Sequence, residues 1–402
     1  MDKTIAIIGG GPAGLMAAEK LAELGHAVTV YEAMPTVARK FLLAGKSGLN
    51  LTHAEAYERF VDRYGAAAKR LRAALDAFPP EALRRWADAL GAETFVGTSG
   101  RVFPKAMKAS PLLRAWLGRL AGLGVDIRTR HRWAGFDGDR LRIASPKGEI
   151  SLLPAATLLA LGGASWPRLG SDAAWVPWLA MRGVEIRPIR PANCGFDVDW
   201  SASFRARYAG APLKSVELSS EGGTSRGEFV VSTHGVEGSL VYGHSAAVRD
   251  ALENGSPGPL TIDLQPDRTL DRLQNDLARQ PPKASFSNRL RKGAALDGVK
   301  AALLREVAAD IARETPEAIS RLIKRLPLPV LRPRPLAEAI STAGGVAWSE
   351  LDENFMVKRA PGLFVAGEMI DWEAPTGGYL LSACFASGAR AAAGIDSWLS
   401  TQ

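Results

Sequence analysis

The residues of this chain best placed to do chemistry are three glycines and one acid. Gly9, Gly11 and Gly14 stand in Ile5-Ala-Ile-Ile-Gly9-Gly-Gly11-Pro12-Ala13-Gly14, a G-x-G-x-x-G spacing. Gly9 permits a tight turn, Gly11 lets backbone approach a pyrophosphate, and Gly14 lets a helix sit close on a strand. Phosphates there meet free N–H groups at a helix N-terminus, where the macrodipole favours negative charge. Glu32, followed by Ala33, lies eighteen residues past Gly14, where a carboxylate accepts the hydroxyls of an adenosine ribose. A 2′-phosphate at that place would meet a like charge, costing on the order of 4 kcal/mol at about 4 Å and an effective dielectric of about 20. The spacing therefore points to FAD or NAD and away from NADP.

These residues need a strand, a helix and a second strand in that order, and the pattern supplies them. Ile5 to Ile8 is a short apolar run, Leu15, Ala18, Leu21 and Ala22 fall on one helical face, and Ala27-Val-Thr-Val-Tyr31 ends at Glu32. Further on, Thr157-Leu-Leu-Ala-Leu161 reads as a buried strand ending in Gly162-Gly163. Helices are expected around 54–64, 66–77, 80–90 and 111–123, and Thr52 with Glu55 makes a capping-box pattern at the start of the first. Val125–Arg130 and Leu141–Ala144 read as strands, with a turn at Asp137-Gly138-Asp139.

The far end of the chain separates FAD from NAD. Gly362-Leu-Phe-Val-Ala-Gly367-Glu368 is a strand closing on glycine and an acid, and Thr376-Gly377-Gly378-Tyr379 opens a helix rich in small residues. The acid can reach a ribityl chain, and the paired glycines set a second helix N-terminus toward the electron-rich edge of a flavin. FAD is the expected cofactor, held non-covalently.

The fold class expected is α/β: a discontinuous Rossmann-like FAD-binding domain, 1–188 and 336–402, interrupted by an insertion. Within the insertion, 189–265 carries alternating strands and is taken as a β-rich substrate or cap domain; 266–335 is taken as a helical domain, with Pro327 to Pro335 as a linker back to the sheet. No second strand–GxGxxG–helix lies between Val125 and Pro335, so NAD(P)H, if it is the reductant, has no domain of its own.

With 402 residues the chain can bury two or three cores, and no apolar run approaches a membrane span. It starts directly into the first strand, without a signal-peptide pattern. Cys194 and Cys384 show no CxxC or metal-ligand spacing, which excludes a metal site of cysteines and a dithiol reductase and suits a cytoplasmic protein. The net charge of +8 gathers around 279–334 in segments such as Asn288-Arg-Leu-Arg-Lys292 and Arg321-Leu-Ile-Lys-Arg325. These read as solvated helix faces rather than nucleic-acid sites. An RNA-binding or RNA-modifying flavoprotein and an NAD-dependent dehydrogenase stand as the alternative functions. The expected partner is a small-molecule substrate, with no membrane; oligomeric state is not legible.

Taken together, these segments resemble the BaiN/YhiN-like (aminoacetone-oxidase-like) FAD-dependent flavoproteins. The resemblance runs through the first glycine motif, Arg39-Lys-Phe-Leu-Leu-Ala-Gly-Lys-Ser-Gly-Leu-Asn50, Arg101-Val-Phe-Pro104 and Leu161-Gly-Gly-Ala-Ser165. It continues through Gly227-Glu, Thr233-His-Gly-Val-Glu-Gly238, Thr342-Ala-Gly-Gly-Val346, and Gly367-Glu-Met-Ile-Asp371 to Tyr379. It implies an FAD domain, a β-rich domain covering the flavin and a small helical domain. The activity implied is amine oxidation or reduction of an activated double bond, with hydride exchanged at flavin N5. Where that family commonly has Ser-Gly-Gly-Gly-Arg/Lys-Cys-Asn, this chain has Ala44-Gly-Lys-Ser-Gly-Leu-Asn50, so a leucine replaces the cysteine and Lys46 adds a cation.

Arg39, Lys40, Gly45, Gly48 and Asn50 are assigned to the loop around the cofactor, and Glu368, Gly377 and Gly378 to the ribityl chain and ring. Trp133 is assigned either to a backbone contact with adenine or to the core. His53, expected in the first turn of a helix, His234, expected at a strand end in the covering domain, and Tyr379 are the catalytic candidates. A neutral-range histidine pKa suits acid–base work, but each of the three also has an ordinary structural reading.

Overall fold

The computed structural model describes residues 2–45, 48–256 and 259–402. Lys46, and with it the expected cation among the glycines, lies outside them. The chain divides into two compact units: residues 1–190 with 340–402, and residues 191–339.

The first unit is built on a parallel sheet of five strands in the order Leu363–Val365, Pro154–Leu159, Asp2–Ile8, Val28–Glu32, Asp126–Thr129. Alternation of side chains explains why the first strand is apolar throughout. Ile5 and Ile7 enter one core with Leu15, Leu21 and Phe385, while Ala6 and Ile8 enter another with Tyr31, Leu159 and Val365. A strand covered on both faces has no polar side to show. Helix Pro12–Glu23 follows the first strand, and the C-terminal helix Tyr379–Ser400 packs directly on it. That approach requires glycine, since a Cβ on Gly388 would lie 2.2 Å from the Ala13 carbonyl oxygen.

One carboxylate is fully buried under this layer. Glu19 accepts hydrogen bonds from the indoles of Trp86 at 3.1 Å and Trp116 at 2.5 Å, and from Arg119 at 3.1 Å. Three donors make such burial tolerable.

Two small antiparallel sheets complete this unit. Arg132–Asp137, Arg140–Ser145 and Gly148–Leu152 form one, with its first turn at Asp137 to Arg140. Thr52–His53, Arg101–Pro104 and Thr94–Val96 form the other, with Arg101–Pro104 in the middle. Here the capping-box reading fails. Thr52 is in a strand and bonds Ser382 Oγ at 2.8 Å; the helix begins at Tyr57 behind Ala56, and Glu55 is engaged by Arg63 and Tyr379 instead.

The second unit has one core, not two. Its seven-stranded antiparallel sheet has the order Leu326–Leu328, Leu260–Asp263, Pro212–Ser220, Gly223–Val231, Gly235–Glu237, Phe196–Val198, Val330–Pro333. The stretch expected as a proline-rich linker thus supplies two strands of this sheet. Its prolines fit because both strands close the order at its ends, where amide donors are dispensable. Leu273, Leu277, Leu290, Leu303, Leu304, Ile319 and Ile323 from the helical segment share a core with Phe196, Leu218, Phe229 and Ile262. The basic helices carry their own acids: Asp276 serves Arg268, Arg272 and Arg279, and Glu317 serves Arg321. No helix among the described residues is long and apolar enough to cross a membrane.

Candidate functional site

The first glycine turn has the geometry its spacing demanded. Gly9 has φ +109°, and a Cβ there would lie 2.3 Å from the Ala160 carbonyl oxygen; one on Gly14 would lie 2.0 Å from the Gly9 carbonyl oxygen. Gly11 differs, because nothing lies within 4 Å of where its Cβ would be. The protein itself gives no reason for glycine at 11, so the space is available to a ligand. Pro12 opens the helix, no side chain caps it, and the first intrahelical bond runs from Leu15 N to Gly11 O at 2.9 Å. The amides of Ala13 and Gly14 precede that bond and are the orphan donors of the turn.

Glu32 stands at the end of the neighbouring strand, and its two oxygens accept the amides of Gly10 at 2.9 Å and Met34 at 2.8 Å. It therefore braces the glycine turn, a role the spacing did not show, and Gly10 is a site residue that sequence reading passed over. A Cβ on Gly10 would come within 2.5 Å of Val37 Cγ1. Burial pushes the Glu32 carboxyl above its ordinary pKa, against the pull of the two amides and of Arg132 and Arg39.

This shift has a direction for ligand binding. Hydroxyl donors from a ribose favour the charged form, so FAD affinity should fall as pH drops through the raised Glu32 pKa, and Glu32→Gln should flatten that fall. In the ligand-free chain the sign reverses: ionising a buried acid whose pKa is raised costs stability, so its contribution is lost as pH rises above the ordinary value of 4.5. FAD titrations across this acidic range check the first statement, and urea unfolding of the flavin-free chain checks the second.

The distant end of the chain meets the same place. Gly367, at φ +78°, follows the strand Leu363–Val365, and a Cβ there would stand 3.0 Å from Ala13 Cβ of the first glycine motif. Next to it, Glu368 accepts Lys40 Nζ at 2.7 Å and the Thr342 amide at 3.0 Å, and Lys40 also reaches Ser165 Oγ at 2.5 Å. Gly163 is packed under this cluster, where a Cβ would collide with Thr342 Oγ1 at 1.9 Å. The Gly162 carbonyl accepts the Trp175 indole at 2.9 Å. Neither Ser165 nor Thr342 had been singled out as a site residue. Their signal was there, since each lies in a glycine-rich segment at a strand end.

Gly378 caps the C-terminal helix at φ +94°, with Gly377 at φ +139°, and a Cβ on Gly378 would fall 2.5 Å from Thr52 Cα. The strand that starts just past Asn50 thus lies against the second helix N-terminus. Gly45 sits on Ala109, and Gly48 borders Met107 and Phe103. Leu49, in the position where a cysteine was expected from the resemblance, is fully buried and its amide bonds the Met107 carbonyl at 2.8 Å.

Among the described residues of this unit, four buried polar atoms have no hydrogen-bond partner: Arg39 Nε, Asn50 Oδ1, Trp133 Nε1 and Ser171 Oγ. A buried orphan of this kind costs about 1–3 kcal/mol. The sequence assigns Arg39 and Asn50 to the cofactor loop and Trp133 either to adenine or to the core, and Ser171 lies beside Gly162, 3.2 Å from where its Cβ would be. The Trp133 indole itself is in the core with Leu141 and Ile143.

Two of the three catalytic candidates, His53 and Tyr379, lie together in the first unit, and both are engaged by protein partners. His53 lies in a strand rather than a helix turn, with Nδ1 accepting the Glu55 amide at 3.1 Å and Nε2 within 3.1 Å of the Ser99 carbonyl. Both ring nitrogens are thus engaged by backbone groups. The Tyr379 ring stacks on His53 at 5.4 Å, and its hydroxyl donates to Glu55 Oε1 at 2.5 Å. Burial, and then that bond, push the Tyr379 hydroxyl far above its ordinary pKa. For Glu55 burial acts upward as well, but bonds from Arg63 and Tyr379 outweigh it and hold the carboxyl low. Tyr379→Phe should accordingly cost about 1 kcal/mol in urea unfolding and leave turnover within about threefold, because the hydroxyl belongs to Glu55.

His234 is exposed, in the turn between Gly223–Val231 and Gly235–Glu237 of the second unit, and its carbonyl accepts the Val198 amide at 2.9 Å. His244 is the buried histidine of that unit, between Ser220 Oγ and Ser225 Oγ at 2.7 Å each; burial lowers its pKa. Neither Cys194 nor Cys384 forms a disulfide, and burial pushes the Cys384 thiol up to about 12, so it stays protonated.

A parallel sheet with a glycine turn at its carboxyl edge and a second glycine-opened helix beside it defines a Rossmann-type dinucleotide-binding protein. More narrowly, the chain belongs to the HI0933-like family: residues 3–394 match the HI0933-like protein Rossmann domain. It is 25% identical over 410 residues to a 3-dehydro-bile acid delta(4,6)-reductase of Clostridium scindens, covering 96% of this chain and 97% of that protein. Two solved structures share the fold. A flavocytochrome c3 fumarate reductase has a TM-score of 0.53 at 14% identity, over 99% of this chain and 78% of the other. A 3-ketosteroid-delta4-(5alpha)-dehydrogenase from Rhodococcus jostii RHA1 has a TM-score of 0.53 at 15% identity, over 99% and 97%.

Proposed function

We propose that this chain is an FAD-dependent oxidoreductase that reduces an activated carbon–carbon double bond in a small organic substrate. The observation that carries this reading is the convergence on the first glycine turn of a glycine turn and a helix from the other end of the chain, Gly367 meeting Ala13 and Gly388 of the helix Tyr379–Ser400 meeting the Ala13 carbonyl. NAD sites need only the first turn. The orphaned atoms of Arg39, Asn50 and Ser171 fit the group, because they are polar, buried and without protein partners. Double-bond reduction is preferred over amine oxidation because the bile-acid reductase aligns along almost the whole of both chains.

In this reading Gly9, Gly11, Pro12, Ala13 and Gly14 receive the pyrophosphate, Glu32 and Ala33 the ribose, and the backbone at Trp133 the adenine. Arg39, Gly45, Gly48 and Asn50 wrap the ring side. Glu368, held by Lys40, accepts from the ribityl chain, and the amides after Gly377 and Gly378 face the ring. When bound, the flavin supplies hydride chemistry. The protein orients it, excludes water and sets charge around it. Two cysteines that form no disulfide accord with a cytoplasmic setting. The local pairing of basic residues on acids in the helical segment accords with a protein that does not bind nucleic acid.

The test is direct. Purified protein should be yellow, and denaturation should release one FAD per chain. NADH and NADPH, compared anaerobically, identify the reductant, and consumption of a conjugated enone such as a 4-ene-3-ketosteroid tests the substrate class. Colourless protein that takes up no FAD when supplied in excess defeats the reading.

A further inference from the structure

The antiparallel sheet of Thr52–His53, Arg101–Pro104 and Thr94–Val96 has two unlike faces. Thr52 and Val102 lie on one and are fully buried, with Thr52 Oγ1 on Ser382. The other face carries Arg101 and Phe103, and the register sets His53 opposite Arg101 and Phe95 opposite Phe103. His53 is committed to backbone groups, but the rest of the face is not covered. Phe95 is 43% exposed and Met107, just past the sheet, is 38% exposed. The rings of Phe95 and Phe103 stand 5.9 Å apart.

Two glycines keep Phe103 open. A Cβ on Gly97 would lie 3.2 Å from Phe103 Cε2, and one on Gly48 would lie 3.7 Å from Phe103 Cε1 and 3.0 Å from Met107 Cε. Backbone bonds join the same edge to the glycine loop, from Leu49 N to Met107 O and from Leu51 N to Val102 O, both at 2.8 Å. Charge follows the same pattern. Lys105 has Glu93 at 2.6 Å, whereas the half-buried Arg101 has no acid paired with it among the described residues.

Adjoining apolar side chains left open to solvent mark a binding surface, and a guanidinium without an acid is suited to a carboxylate. We propose that this face is a substrate subsite for a carboxylic acid whose ring body has an apolar face. The apolar body lies on Phe95, Phe103 and Met107, and the carboxylate pairs with Arg101. The inference rests on reading Gly45, Gly48 and Asn50 as cofactor residues, since Gly48 borders Phe103 and Met107.

Cholate, a steroid carboxylate, and androstenedione, an uncharged steroid ketone, are the two probes, titrated by calorimetry into the FAD-loaded chain. Arg101→Gln should weaken cholate at least tenfold and leave androstenedione unchanged. Phe95→Ser and Met107→Ser, both at exposed positions, should weaken both ligands at least threefold with FAD content and Tm unaltered. The proposal is overturned if Arg101→Gln binds cholate like the parent, or if the parent binds neither probe. It is equally overturned if Phe95→Ser turns a dimer into monomers without affecting either ligand. Calorimetry reads this face even in protein lacking flavin. Absence of FAD would therefore defeat the cofactor reading, while the Arg101 contrast still decides this one.

Discussion

A Gly11→Val variant should fold nearly as well as the parent and lose FAD, whereas Gly14→Ala should lose both. The two glycines sit three residues apart in one motif, yet their surroundings are opposite. A Cβ on Gly14 meets the Gly9 carbonyl at 2.0 Å, so the helix must move off the strand. Strain of that kind in a packed interior costs about 1–3 kcal/mol or more. At Gly11 the backbone has φ −84° and ψ −179°, which valine adopts freely, and the side chain would enter open space. The fold loses only the modest helix-start preference of glycine over valine, about 1 kcal/mol or less. That open space is where a pyrophosphate would lie, so FAD affinity should fall at least about 100-fold, equivalent to about 2.7 kcal/mol. Thermal unfolding of the flavin-free protein, set beside FAD titration, separates the two effects. Retention of parent-like FAD affinity in Gly11→Val would remove the phosphate from this turn.

The second large effect is expected at the Lys40–Glu368 pair. Glu368 has only 11% of its side chain exposed and Lys40 28%. Removing one partner from a buried pair leaves the other charge uncompensated, a loss of about 3–5 kcal/mol when burial is complete. Partial exposure of the lysine brings the expected cost of Lys40→Met to about 2 kcal/mol. The double variant Lys40→Met with Glu368→Gln should recover part of this, with a coupling of about 1–2 kcal/mol in urea unfolding. FAD retention should track the state of residue 368: weakened when the acid is left without its lysine, and weakened in the double variant as well because the acceptor charge is gone. Additive effects on stability would show that the pair does not act as a unit.

The strand–turn–helix around Gly9 to Gly14 was legible because every constraint on it is local. A Cβ-free turn, a short apolar strand buried on both faces and an amphipathic helix all write themselves into neighbouring residues. The helix starts were less secure. Thr52 and Glu55 match a capping box, but a capping box is a pattern of two side chains that other partners can claim. Arg63 and Tyr379 claimed Glu55, and Ser382 claimed Thr52. Pro327 to Pro335 was misread for a similar reason: proline forbids a central strand but not a strand at the end of a sheet, and position within the sheet is not written in the segment itself.

Sequence alone determined the glycine turn, the acid at the end of the second strand and the return of the C-terminal segment to the domain that opens the chain. Those depend on residue type and short spacing. Tertiary structure alone decided which charges and hydroxyls face one another: Lys40 with Glu368 and Ser165, Glu32 with the amide of Gly10, and Tyr379 with Glu55 rather than with a substrate. A side chain's partner is set by packing between elements hundreds of residues apart, and a hydrogen bond or an ion pair leaves no periodic trace in the chain that makes it.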